Sequence, residues 1–167
     1  MIIGLSGGHA DERAAEHWLR AVGVPLGVRH ACTHLVRTPY PHVAVSLALP
    51  DDLDRGLLPA VPAELRPAAD AAAAAHTTRG SGRSVFFAGI ERLVGVVTVA
   101  TVLAESEIEE VRVLDGAAPG PDTELLTRDF VRPHWVDGRL TLLTTTVTGG
   151  RIAPFEVPHP TPCCADH

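Results

Sequence analysis

The segment Val85–Glu105 constrains the fold more than any other part of the chain. It is the longest apolar stretch, and valine and threonine crowd it. Small or polar residues fall at Ala88, Glu91, Gly95, Thr98, Thr101 and Glu105, close to a three-to-four spacing that leaves the other faces apolar. That pattern predicts one long helix buried on most of its surface. The β-branched content leaves a second reading open, in which the segment forms two strands. Glu91 and Arg92 interrupt it, so it does not read as a membrane span.

The flanking sequence predicts what such a helix packs on. Met1–Ser6 reads as a short strand ending in a tight turn at Ser6-Gly7-Gly8. Asp11–Val22 sets Ala14, Ala15, Trp18, Leu19 and Val22 at helical spacing, with Gly23 as the stop. His42–Leu49 alternates as a strand does, and Pro62–His76 is Ala-rich and helical. Thr77–Ser84 is a Gly/Arg/Ser loop. Ile108–Leu114, Thr123–Val131 and Arg139–Thr148 read as strands, with turns at Pro119–Asp122 and Pro133–Gly138. Gly149-Gly150 then turns the chain into Arg151–Val157. Helices and strands alternate early and give way to a meander. The expected class is therefore α/β or α+β, a mixed sheet with a long buried helix. A buried helix leading into an antiparallel meander also fits a hot-dog fold. At 167 residues the expectation is a single domain over residues 1–157. Pro158, Pro160 and Pro162 stiffen an extended tail over residues 158–167.

Composition narrows the chemistry. Net charge is −6 and aromatics are 4%, so neither a phosphate-neutralising surface nor a base-stacking platform is expected. The chain has no Lys, Asn or Gln, and all 14 cationic side chains are Arg, as a GC-rich coding sequence gives. A Schiff-base lysine and a carboxamide oxyanion donor are thereby excluded. The opening Met1–Leu5 has no basic region, so the chain is expected to lack a signal peptide and to be cytoplasmic. Three cysteines, Cys32, Cys163 and Cys164, do not make a disulfide framework and read as buried, metal-binding or reactive thiols.

Three constellations remain. On a strand, alternation places His30, Cys32 and His34 on one face. They form either a metal half-site, or a reactive thiolate whose pKa an imidazolium lowers. The loop residues Arg79, Gly80, Ser81, Gly82, Arg83 and Ser84 precede the predicted long helix. Free N–H groups and two guanidinium groups there suit a phosphate or carboxylate, with Ser84 as N-cap. The tail brings His159, Cys163, Cys164 and His167 within nine residues, donors that zinc, iron and copper accept. The adjacent cysteines also suit a reversible dithiol, and the plain alternative is a frayed terminus.

Gly82-Arg83-Ser84-Val85-Phe86-Phe87-Ala88-Gly89 resembles the glycine-histidine segment that opens the buried helix in the C-terminal half of β-ketoacyl synthases. The residues C-terminal to it are similar too: a Val/Ala/Leu/Thr stretch, a short strand, a Pro/Gly/Asp turn and a Thr/Leu strand running into glycines. Glu12–Gly23 resembles a helix upstream in the same half. The resemblance spans about residues 10–157 and implies half of a thiolase-like fold. It departs where those enzymes carry histidine after the glycine, since Arg83 stands there. The family's other histidine would fall near His30–His34, without its glycine/threonine framing, and no cysteine occupies a nucleophile turn. The resemblance thus implies a divergent biosynthetic protein acting on an acyl-thioester or carbonyl substrate, with acyl carrier protein or a coenzyme A-linked substrate as partner. The alternatives are a metal-binding protein or metalloenzyme built on the His/Cys clusters, and a non-catalytic partner subunit of a synthase. A homo- or hetero-oligomer is expected in each case.

Overall fold

The computed structural model describes residues 1–114, 116 and 118–158. Along the chain it forms β1 (Ile2–His9), α1 (Glu12–Gly23), β2 (His30–Val36), β3 (His42–Ala48), α2 (Arg66–Thr77), β4 (Arg83–Phe86) and β5 (Val96–Thr98). It continues with α3 (Val99–Glu105), β6 (Glu110–Val113), β7 (Glu124–Leu126), β8 (His134–Val136), β9 (Arg139–Val147) and β10 (Arg151–Pro154). The strands make one mixed sheet in the order β1-β3-β2-β4-β8-β9-β10-β7-β5, with β6 beside β9. The β6–β9 and β7–β10 pairs are parallel and the others antiparallel. The chain is thus mixed α/β with a large mixed sheet, as the sequence predicts. Among the described residues no helix is long and apolar enough to cross a membrane.

Alternation in β3 decides which helix lies on which face. Val43, Val45 and Leu47 point one way and pack with Leu5 of β1 against Ala15 and Leu19 of α1. Asp11 starts α1 by accepting the Ala14 N–H at 2.7 Å. Ala44 points the other way, toward Ala68 and Ala72 of α2. Alanine on the inner side of α2 lets it approach closely: a Cβ at Gly4 would lie 1.7 Å from the Ala69 carbonyl oxygen. A further core joins β6, β7, β9 and α3 around Leu93, Val102, Ile108, Leu125, Leu140 and Leu142.

The single helix expected over Val85–Glu105 is not formed. Val85 and Phe86 complete β4, a 3₁₀ turn covers Ile90–Arg92, Val96–Thr98 is β5, and only Val99–Glu105 is helical. Gly89 at φ 83° makes the break, and a Cβ there would lie 2.0 Å from the Glu105 carbonyl oxygen. β-Branched residues paired across strands outweigh the helical periodicity. Accordingly Thr77–Ser84 is not a loop before a helix. It links α2 to β4, and Ser84 is a strand residue rather than an N-cap. Ser6-Gly7-Gly8 does not end β1, which continues to His9 through a bulge. Pro133–Gly138, expected as a turn, contains β8. The hairpin at Gly149-Gly150 forms as predicted, pairing β9 with β10.

Candidate functional site

β2 does place His30, Cys32 and His34 on one face, the face beneath α2. Register then brings Ser46 of β3 opposite Cys32 on one side and Ser84 of β4 opposite it on the other. His76, in the last turn of α2, comes down onto this layer. All six side chains are buried.

Their hydrogen bonds fix the rings. The Glu107 carboxylate accepts from His30 Nδ1 at 2.8 Å, so the His30 Nε2 lone pair faces the Ser84 hydroxyl at 2.5 Å. Ser84 Oγ also lies 3.4 Å from Cys32 Sγ. Ser46 Oγ bridges His34 Nε2 at 2.8 Å and His76 Nδ1 at 2.9 Å. The His30 ring stacks on Trp135, with centroids 5.6 Å apart, and lies 5.0 Å from the His76 ring.

Burial sets the protonation states. It lowers His34 to about 4. It lowers His76 to about 4 as well, helped by the neighbouring His30, His34 and Arg79. Burial also lowers His30, against the pull of Glu107. The Cys32 thiol is pushed up to about 11 by burial, although Ser84, Trp135 and Ser46 all favour its thiolate. The expected imidazolium-activated thiolate is therefore not what the fold makes: the imidazoles beside Cys32 are neutral. The Trp135 indole Nε1, buried and without a well-formed hydrogen bond, lies near this sulfur.

His30, Cys32 and His76 each offer a ligand atom, and these atoms lie within 4.8 Å of one another. Tetrahedral zinc, with bonds of about 2.0–2.3 Å, would draw them closer by roughly 1 Å. His34 is not the third donor expected from sequence; it holds Ser46, which orients His76. The sequence reading missed His76, Glu107, Ser46 and Trp135. His76 at the end of an alanine run was a visible signal, because small residues bring a helix close enough for one large side chain to reach the sheet. The Glu107–His30–Ser84 line has the order of an acid–base–nucleophile relay. Ser84 is fully buried, though, and substrate has no approach to it.

A pocket of about 310 Å³ opens over the cluster, lined by His30, His76, Arg79, Glu107, Glu109 and Trp135. Of the anion-binding loop expected from sequence, Arg79 alone lines it. Gly80 and Ser81 are exposed beside it. Gly82, at φ 136°, packs against Cys32 and His34. Arg83 faces the opposite side of the sheet and is 5% exposed. Its guanidinium meets Glu12 at 3.1 Å, Glu16 at 2.7 Å and Glu156. Burial would raise the Glu156 carboxyl, but His134 and Arg83 hold it down at about 2. Arg83 is thus saturated by carboxylates and is no anion site. A larger groove of about 1000 Å³ lies over these ion pairs, between α1 and Phe155. Its buried guanidinium groups, Arg83 and Arg132, are already paired with carboxylates, so the candidate site is taken as the smaller pocket, lined by two imidazoles of the His/Cys cluster. His159, Cys163, Cys164 and His167 lie outside the described residues. Comparison with known proteins gives no match to a family model, to a curated protein or to a solved structure.

Proposed function

We propose that this chain is a metal-binding protein whose centre is His30, Cys32 and His76, with zinc as the first ion to test and iron and copper as the other candidates. The observation that carries the reading is that both imidazoles are anchored through Nδ1. Glu107 holds one and Ser46 the other. That leaves the His76 Nε2 lone pair for an ion beside the Cys32 sulfur, and the His30 Nε2 lone pair would exchange its hydrogen bond from Ser84 for the same ion; such back-side anchoring is the usual support of metal-ligating histidines. Two imidazoles and one thiolate are borderline-to-soft donors, suited to zinc or copper more than to magnesium or calcium. Three protein ligands below an open pocket match zinc centres that keep a position for water or substrate.

The acyl-thioester and partner-subunit readings rest on the resemblance to β-ketoacyl synthases. The thiolase-like half-fold and the hot-dog fold are both read from a long helix at Val85–Glu105, and that segment is strand, turn and a seven-residue helix, so it lends those readings no support.

The test is zinc titration of chelator-treated full-length chain carrying Cys163→Ser and Cys164→Ser, which removes the tail thiols. One equivalent should bind, and Cys32→Ser or His76→Ala in that background should weaken it at least 100-fold. Absence of stoichiometric binding, or binding untouched by both substitutions, overturns the reading.

A further inference from the structure

Among the charged side chains that line the pocket above the proposed centre, Arg79 alone makes no hydrogen bond to the protein. Arg79 sits at φ 52°, a left-handed conformation that non-glycine residues rarely adopt. The end of α2 imposes it, through Arg79 N–H to the His76 carbonyl at 3.0 Å and Gly80 N–H to the Ala75 carbonyl at 2.9 Å. The result is a guanidinium laid over the Trp135 ring, 4.9 Å from its centroid, at the pocket wall. Its nearest carboxylate is Glu109 at 3.6 Å, longer than a hydrogen bond. Among the described residues no protein acceptor takes a hydrogen bond from its side chain.

The acidic groups of the wall are differently placed. Glu107 accepts from His30 and, at 3.3 Å, from the Ala88 N–H. Glu109 accepts from the Leu140 N–H at 2.9 Å. Both carboxylates are tied to the protein, while the guanidinium fork is not. We propose that this pocket binds a small monocarboxylate, with Arg79 as the residue that selects it. A planar carboxylate matches the guanidinium edge in a bidentate pair, and the indole beneath keeps that fork flat. Glu107 and Glu109 against Arg79 leave the charged side chains of the wall one surplus negative charge when the pocket is empty, and none once a divalent ion and a thiolate are added. A monoanion is therefore tolerated, whereas a phosphate dianion meets Glu107 and Glu109. About 310 Å³ is the small end of the range for ligand pockets and suits a small molecule. The inference rests on the metal reading for this charge balance alone; Arg79 and its free edge are there with or without the ion.

Glycolate is the probe, with inorganic phosphate and methylammonium as comparisons at constant ionic strength. The readout is the Trp135 indole N–H resonance, identified by its persistence in Trp18→Phe, in zinc-loaded and in chelator-treated full-length chain. Glycolate should shift it saturably, with at least tenfold weaker binding in Arg79→Gln and intermediate binding in Arg79→Lys. Phosphate should bind more weakly than glycolate, and methylammonium should leave the resonance unmoved. No saturable shift, or equal affinity in Arg79→Gln, overturns the proposal. Tighter binding of phosphate overturns the carboxylate class. Binding that needs zinc and ignores Arg79→Gln places the anion on the ion, which overturns the role of Arg79 and leaves the metal centre standing. A glycolate shift that depends on Arg79 in a chain that takes up no zinc supports the pocket and sinks the metal reading alone.

Discussion

Arg79 and Arg83 stand four residues apart and behave oppositely. Arg83 is enclosed by Glu12, Glu16 and Glu156, whereas Arg79 is exposed and meets one carboxylate at long range. Arg83→Ala would take the buried guanidinium from Glu12 and Glu156 and leave Glu16 to Arg132 alone, which holds it at 2.6 Å. It should cost about 3–5 kcal/mol, as removal of one partner from a buried ion pair does. Arg79→Ala should stay within about 0.5 kcal/mol, as for most surface changes. Urea midpoints of the two variants check this, and equal midpoints would contradict it. Glu107→Gln weakens the anchor on His30 Nδ1 without touching a ligand atom, so zinc affinity should drop about 10–100-fold. Unchanged affinity would separate Glu107 from the centre. The pH dependence comes from His34 and His76, whose folded values are depressed from 6.5 to about 4. The unfolded chain takes up protons first, so stability is flat above 6.5 and falls as pH drops from 6.5 toward 4. The slope is about 1.4 kcal/mol per pH unit for each imidazole that stays neutral. Urea midpoints of metal-free protein at pH 7 and pH 5 should show that loss, and His34→Gln should reduce it. Identical midpoints at the two pH values would mean that these rings are not buried neutral.

At the scale of elements, the site depends on how closely α2 lies on β1. Gly4→Ala would thrust a methyl group into the Ala69 carbonyl, and α2 would have to lift, carrying His76 off Cys32. A loss of about 1–3 kcal/mol is expected from the overpacking, together with weakened zinc binding. A Gly4→Ala chain with native midpoint and native zinc affinity would contradict this dependence. The period of two in β2 was legible, which is why His30 and Cys32 were found from sequence. Helical spacing at Asp11–Val22 and the alanines of Pro62–His76 were legible for the same reason: local periodicity records a buried face. Val85–Glu105 was misread because its small and polar positions fit a helical stripe by spacing alone. What decides that segment is non-local, namely pairing of β4 with β2 and of β5 with β7, and the contact of Gly89 with Glu105.

For the whole molecule, a mixed sheet with helices was readable, and its strand order was not. β4 inserts between β2 and β8, and that insertion carries Ser84 to His30 and Arg83 to Glu12 and Glu16. Glu107 reaches His30 across 77 positions of sequence, which no local pattern records. The proposed metal centre requires a thiolate from Cys32 binding an ion between His30 and His76, and the three-cysteine count makes that testable in one spectrum. In full-length chain with Cys163→Ser and Cys164→Ser, Cys32 is the only thiol left. Cobalt(II) added to that chain should give the near-ultraviolet sulfur-to-cobalt charge-transfer band, saturating at one equivalent and vanishing in the further variant Cys32→Ser. It should also fade as pH falls, because the thiol must lose its proton to ligate. A cobalt-treated chain without that band, or with a band that survives Cys32→Ser, contradicts the account.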